Sequence, residues 1–174
     1  MRPDMLGYIS TTETPGAADL LLQDLAAMLA GRGVRLAGAV QINTDTGAGC
    51  TCDMDIRILG DDGPAVRITQ ALGSGSTGCR LDAGALELAV ARVEKVLDQG
   101  ADLVILNKFA KQEAIGKGFR DLIAEALARG VPVLTCVPPE YLDQFRDFAG
   151  DIAQPVGHGT VSDWCLAALH DAAA

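Results

Sequence analysis

The chain has 174 residues, of which 49% are hydrophobic and only 4% are aromatic. This length suits one domain, and the composition predicts an aliphatic core of the kind that helices form on a parallel sheet. The net charge of −9 argues against general binding of nucleic acid or acidic membranes, because neutralising phosphates requires clustered Lys and Arg. No apolar run approaches the roughly 20 residues that span a bilayer, and Met1–Asp4 lacks the apolar core of a signal peptide. We expect a single cytoplasmic domain over residues 1–174.

Strand-like and helix-like patterns alternate along the chain. The first half contains a strand over 5–10, a helix over 17–31, a strand over 34–42 and, after a helix cap at Asp82, a helix over 83–98. The second half contains a strand over 102–107, a helix over 113–129, a strand over 131–137, a short helix over 138–145, an edge strand over 151–156 and a helix from Thr160, capped by Thr160 or Ser162. This alternation predicts an α/β fold: a mostly parallel sheet in a three-layer arrangement, with helices on both faces.

An antiparallel β-hairpin interrupts this alternation at about residues 52–72. Asp53–Leu59 places apolar side chains at every second position, and Ala65–Ala71 has the pattern of a partner strand. Gly60–Pro64 between them is typical of a tight turn. An exposed edge on this hairpin would permit a homodimer through strand pairing.

The loop after the first strand occupies the place of a phosphate-binding loop. The motif G-x-x-x-x-G-K-[ST] uses Lys for the β- and γ-phosphates and a hydroxyl for magnesium. Here Ala17 and Ala18 stand at those two positions, after Gly16. The backbone N–H groups at the helix start can still bind a small anion. The alternative is purely structural, with Thr14 and Asp19 capping the helix.

The strand over 102–107 ends in Asn107-Lys108, where a nucleoside-triphosphatase has an acidic residue that holds magnesium. An amide and an ammonium remove a cation site, so we do not expect magnesium. We expect Lys108 to project towards the first loop and to supply the charge that Ala17 lacks. Lys111, Lys117 and Arg120 continue this basic segment, which is either an anion site or a solvated helix start.

The five cysteines fall into two groups. Cys136 and Cys165 lie in apolar patterns and are predicted to be buried hydrophobic residues. Cys50, Cys52 and Cys79 lie near the hairpin, where structural zinc, a soft-metal or redox role and no special chemistry all remain open. Arg80 and the glycine-rich loop before it are candidates for anion contact, since glycines permit close backbone approach. The two histidines, His158 and His170, are predicted to lie on the surface.

Several stretches resemble a bacterial family of unknown function whose members are often labelled NTPase-like or molybdenum ABC transporter ATP-binding proteins. These stretches are Cys52–Asp55, Arg67–Gly73, Gly78–Asp82 and Leu106–Glu113. More distantly, the order of elements is similar to that of the small nucleoside-triphosphatases of thermophiles, which belong to the P-loop NTPase superfamily. The resemblance implies a P-loop NTPase-like fold with a degenerate Walker A loop and a partner associated with molybdate transport.

Three functions are compatible with these residues. The first is a non-hydrolytic protein that binds an anion or nucleotide, linked to molybdate or another oxyanion. The second is a divergent nucleoside-triphosphatase that uses Lys108 in place of the P-loop lysine, with Glu13 or Glu113 as the general base. The third is a protein-interaction module without a ligand. The candidate anion- or nucleotide-binding residues are Thr11, Thr12, Thr14, Gly16, Arg80, Asn107, Lys108 and Lys111.

Overall fold

A computed structural model describes residues 5–11, 14–44, 53–70 and 81–174. Its centre is one seven-stranded sheet with the strand order β4-β3-β2-β5-β6-β1-β7. The strands are β1 (Leu6–Ser10), β2 (Leu36–Thr44), β3 (Asp53–Leu59), β4 (Val66–Arg67), β5 (Leu103–Leu106), β6 (Val133–Val137) and β7 (Ala153–Pro155). The helices are α1 (Ala17–Gly31), α2 (Ala83–Gln99), α3 (Lys111–Ala114), α4 (Arg120–Ala128), α5 (Leu142–Ala149) and α6 (Val161–Ala173).

Five neighbouring strands, from β2 to β7 in the sheet order, run parallel. β6 lies between β5 and β1. Its Thr135 is paired with Leu106 of β5 on one side and with Tyr8 of β1 on the other. β7 pairs with β1 at the sheet's outer edge. Because these strands share one direction, their carboxyl ends meet along one edge of the sheet, which is where ligands bind in open α/β sheets.

The helices cover both faces of the sheet. One apolar cluster packs the buried sides of α2, α4 and α5 on one face and includes Phe109, Phe119 and Phe145. The other packs α1 and α6 on the opposite face and includes Leu22, Leu29 and Cys165. The predicted α/β class, with a mostly parallel sheet and helices on both faces, is confirmed, and the arrangement is consistent with a P-loop-like fold.

The predicted hairpin is present and extends the sheet beyond β2. β3 pairs antiparallel with β2 from Gly38–Leu59 to Thr44–Asp53, and β4 pairs antiparallel with β3. The second strand is shorter than predicted, since only Val66–Arg67 forms β4 within the described residues. Residues 52, 71 and 72 of the predicted insert lie outside the described residues.

The prediction of one continuous helix over residues 113–129 is wrong for the first half of this range. The chain forms the single turn α3, then a break, and only then α4. Gly116 and Gly118 lie in this break with positive φ angles of 86° and 59°, a backbone conformation that interrupts a helix. The Glu113 carboxylate bridges the break, accepting hydrogen bonds from the backbone N–H of Ala110 and of Phe119, each at 3.0 Å.

Of the two helix starts with a predicted side-chain cap, at α2 and α6, only α2 has one. Asp82 caps α2 as predicted, its Oδ1 accepting a hydrogen bond from the Ala85 N–H at 3.0 Å. At the start of α6, neither Thr160 nor Ser162 acts as the predicted side-chain cap, since the cap position makes no such bond. The Thr160 hydroxyl instead donates to the Gly157 carbonyl at 3.3 Å, because the preceding turn brings that oxygen close.

Candidate functional site

The first loop enters α1 through a left-handed glycine. Gly16 has φ 78° and occupies the cap position of α1, where no side chain caps the helix. The Ala17 N–H donates to the Thr14 backbone carbonyl at 3.2 Å, so Thr14 contacts the helix start through its main chain. Asp19 instead lies buried in the first turn, where its Oδ2 accepts a hydrogen bond from Asn43 Nδ2 at 2.7 Å.

A chain of side-chain amides connects the start of α1 to the end of β5. Asn43 Oδ1 accepts from Gln41 Nε2 at 2.8 Å, and Gln41 Oε1 accepts from Asn107 Nδ2 at 3.1 Å. Gln41 and Asn107 are 5% and 6% exposed, so the bond between them is shielded from water, whereas Asn43 is exposed at the end of β2. We call Asp19, Asn43, Gln41 and Asn107 the amide relay. Its members come from α1, β2 and the end of β5, and they converge at one edge of the sheet.

The relay ends in an unused acceptor. Asn107 Oδ1 is buried and has no hydrogen-bond partner among the described residues. Its amide nitrogen is directed at Gln41 on the β2 side, so the oxygen occupies the other branch of the amide, away from β2. Leaving a buried acceptor unpaired costs about 1–3 kcal/mol. A donor brought by a ligand would remove that cost.

Lys108 follows directly and is half-buried. Burial raises the pKa of the Cys136 thiol to about 12, while the Lys108 ammonium lowers this pKa and the Asp19 carboxylate raises it. Both charges therefore act on the same buried thiol near the end of β6. None of the carboxylates in the described part of the chain lies within 4.0 Å of the Lys108 ammonium.

The residues after Lys108 have separate roles. Phe109 is fully buried, and its N–H donates to the Cys136 carbonyl at 2.8 Å, which fixes the backbone beside Lys108. Lys111 is exposed at the start of α3. Glu113, considered as a general base, is buried with both carboxylate oxygens bonded to backbone N–H groups. Burial is also the main reason that the pKa of Glu113 is raised. The carboxylate thus has a structural role.

His158 joins this edge and stays partly exposed, in agreement with its predicted surface position. Its Nε2 lies 2.7 Å from the Ser10 carbonyl oxygen, at the end of β1. A carbonyl only accepts, so this ring nitrogen carries the hydrogen. His158 reaches Ser10 because β7 pairs parallel with β1, and the turn after β7 opens beside the first loop. The other histidine, His170, is exposed as predicted.

The candidate residues are only partly brought together within the described residues. Asn107 and Lys108 adjoin at the end of β5, Thr11 follows β1 half-buried, and Thr14 and Gly16 precede α1. Thr12, Glu13 and Arg80 lie outside the described residues, as do the glycine-rich loop and the trio Cys50, Cys52 and Cys79. Cys136 and Cys165 are buried, as predicted.

Gln41, Asn43 and Asp19 were missed as site residues. The signal available was the polar alternation of Gln41 and Asn43 at the end of an apolar strand. In the ranges 5–11, 14–44, 53–70 and 81–174, no group of three or more His, Cys, Asp or Glu is placed to hold a metal ion. None of the described helices is both long and apolar enough to cross a membrane.

Comparison with known proteins yields a family but no function. The molybdenum import ATP-binding protein ModC 2 of Bradyrhizobium diazoefficiens is 43% identical over 134 residues, which cover 77% of this chain. The match spans only 15% of the length of that relative. No solved structure matches the chain. The family described as "Protein of unknown function (DUF2478)" matches residues 6–164, which include every strand of the described sheet and every described helix except most of α6. The chain therefore belongs to the DUF2478 family.

Proposed function

We propose that this protein binds a small oxyanion, without hydrolysis, at the carboxyl edge of its parallel sheet. The observation that carries the proposal is the half-buried Lys108, which has no carboxylate within 4.0 Å among the described residues. A partly desolvated ammonium without an ion pair attracts an anion more strongly than an exposed one. The proposed contacts are Thr11, Thr12, Thr14, Gly16, Arg80, Asn107, Lys108 and Lys111.

The local charge favours a small anion over a nucleoside triphosphate. Lys108 and Asp19 carry opposite charges, and both act on the Cys136 thiol. Phosphoryl-transfer sites neutralise a triphosphate with a P-loop lysine and magnesium, but Ala17 and Asn107 stand where the lysine and the magnesium-holding carboxylate are expected. Glu113 is bonded to backbone N–H groups. A triphosphate would therefore bring more negative charge than these residues balance.

The kind of oxyanion is suggested by the relative. The protein that is 43% identical over part of its length is named for molybdenum import and ATP binding. On this basis we propose tetrahedral oxyanions, with molybdate and phosphate among them, as the first ligands to test. A molybdate-transport component is the partner we propose, and the cytoplasm is the proposed location.

A second candidate function is an interaction module. The chain corresponds to only 15% of the length of its relative, which favours a role as one part of a larger assembly. In that case the sheet edge would be retained for packing and no anion would bind. The homodimer considered for the hairpin edge belongs to this candidate, although β4 offers only Val66–Arg67 for pairing.

A thermal-shift screen separates these functions. The unfolding temperature would be measured with phosphate, sulfate, molybdate, tungstate, ATP and GTP, each with magnesium and with EDTA instead. We expect stabilisation by at least one oxyanion in EDTA, since a ligand at about 100 times its Kd adds about 2.7 kcal/mol. Stabilisation only by a nucleotide with magnesium, together with phosphate release, would support a nucleoside-triphosphatase and contradict the proposal. No response to any ligand would favour the interaction module.

A further inference from the structure

The direction of the amide relay is fixed at one end by Asp19. An aspartate carboxylate has only acceptor oxygens, so Asn43 must direct its Nδ2 at Asp19, as the 2.7 Å bond shows. This leaves Asn43 Oδ1 to accept from Gln41 Nε2. Gln41 Oε1 must then accept from Asn107 Nδ2. Each amide can face only one way while the aspartate is ionised.

The consequence appears at the other end of the relay. Asn107 has directed its amide nitrogen at Gln41, so its oxygen is the atom left without a partner. Asn107 is 6% exposed, which denies this oxygen a compensating bond from bulk water. The unpaired atom, in the residue that precedes Lys108, is therefore an acceptor, and what it lacks is a hydrogen-bond donor.

We infer that this acceptor makes the site selective for an oxyanion that carries a proton, such as monohydrogen phosphate or a singly protonated phosphomonoester, over a fully ionised oxyanion. The inference rests on the proposed function, because it names the ligand class of that same site. The charge of such an ion is met by Lys108, and its single hydroxyl donates to Asn107 Oδ1.

The physical basis is the difference between hydroxyl and oxide oxygens. Sulfate and molybdate at neutral pH have only acceptor oxygens. One of these oxygens would face the Asn107 oxygen, away from water, with no hydrogen between the two acceptors. A site built to pair with a substrate hydroxyl strongly rejects an analogue that lacks this hydroxyl, because the polar group of the site is then left unpaired. Sulfate, close to phosphate in size and shape, is the matched comparison.

The test is the ratio of affinities for phosphate and sulfate, measured by calorimetry in EDTA at pH 7. We expect the wild-type protein to bind phosphate at least about tenfold more tightly than sulfate, a difference of about 1.4 kcal/mol. Molybdate and AMP would be titrated in parallel, and AMP distinguishes a free phosphate site from a phosphomonoester site. Sulfate or molybdate binding as tightly as phosphate would overturn the inference.

Two variants test whether the relay is the cause. Asp19→Asn replaces the fixed acceptor by a group that can donate or accept, so the relay can reverse and present the Asn107 amide nitrogen. Asn107→Leu removes the acceptor altogether. In both variants we expect the ratio of phosphate to sulfate affinity to fall to within about threefold of unity. Gln23→Leu is the control, because Gln23 donates to the Gln41 backbone carbonyl at 2.8 Å and is outside the relay.

The ratio is the useful readout because Asp19→Asn also removes a negative charge. That change tightens binding of every anion and largely cancels in the ratio. A wild-type preference for phosphate that both variants retain would overturn the role of the relay while leaving oxyanion binding intact. Failure of the wild-type protein to bind any oxyanion would overturn the proposed function and this inference together.

Discussion

Replacing Gly118 by alanine should destabilise the segment that follows Lys108 much more than the same change at Gly116. Both glycines have positive φ angles, 59° and 86°. A Cβ at Gly116 would meet no atom within 4 Å, whereas a Cβ at Gly118 would overlap the Oε1 of Glu113. The two variants therefore share the backbone strain, and only Gly118→Ala adds a steric conflict.

The expected magnitudes follow from these contacts. The left-handed conformation costs an alanine about 1–2 kcal/mol, so Gly116→Ala should lose about that amount. In Gly118→Ala the Glu113 carboxylate must also move, which weakens its bonds to the Ala110 and Phe119 N–H groups. Losing one such buried bond costs about a further 1–3 kcal/mol. The total for Gly118→Ala is then about 2–5 kcal/mol.

Thermal denaturation followed by circular dichroism measures this difference. For a domain of this size, 1 kcal/mol corresponds to about 2–4 °C, so Gly118→Ala should melt about 2–12 °C below Gly116→Ala. Equal melting temperatures for the two variants would show that the Glu113 carboxylate is not fixed at the break between α3 and α4. They would refute the structural role assigned to this carboxylate.

Two further predictions concern ionisation. Because burial raises the pKa of Glu113 above its ordinary value of 4.5, its contribution to stability is fully present below pH 4.5 and declines as the pH rises through the raised pKa. The difference in unfolding free energy between wild type and Glu113→Gln, from urea denaturation, should shrink over that window, and a growing difference would contradict the assignment. Burial raises the pKa of both Cys136 and Cys165 to about 12. At pH 8 their thiolate fraction is therefore on the order of 10⁻⁴. After treatment with iodoacetamide, mass spectrometry should find both cysteines unalkylated in the folded protein and alkylated in urea. Rapid alkylation of the folded protein would contradict this prediction and show that the thiols are accessible.

The sequence was sufficient where one local pattern decides the structure. Asp82 was predicted as a helix cap because a short acidic side chain precedes a helical pattern, and the structure shows the bond. Cys136 and Cys165 were predicted to be buried from their apolar neighbours, and both are. The order of strands and helices was predicted for the same reason, since hydrophobic periodicity reports which face of each element is buried.

The failures involve contacts between residues that are distant in sequence. The helix break at Gly116 was missed because helical periodicity continues across it, while the Glu113 carboxylate that stabilises the break acts only after folding. His158 reaches Ser10 across 148 residues, which depends on the pairing of β7 with β1. The whole fold determines which strands pair within a sheet, so a local sequence pattern does not predict these partners.

The amide relay is missed for a related reason. A glutamine or asparagine at a strand end is typical of any solvent-facing edge, so the polar alternation of Gln41 and Asn43 does not by itself distinguish a site from an ordinary sheet edge. Their meaning comes from hydrogen-bond direction, which Asp19 sets from another element. The relay also changes the role predicted for Asn107. Its amide nitrogen donates to Gln41, and its oxygen is left without a hydrogen-bond partner among the described residues.

The central claim is that Lys108 holds an oxyanion without magnesium, and calorimetry in EDTA tests it most directly. Phosphate, sulfate and molybdate would be titrated into wild type, Lys108→Ala and Lys95→Ala. Lys95 is an exposed control on α2, whose charge acts on Asp61 in the turn between β3 and β4, away from the proposed site. We predict binding of at least one oxyanion to wild type and to Lys95→Ala, and about 10- to 100-fold weaker binding to Lys108→Ala, since a hydrogen bond to a charged group contributes about 1.5–3 kcal/mol. Equal affinity in wild type and Lys108→Ala would contradict the claim.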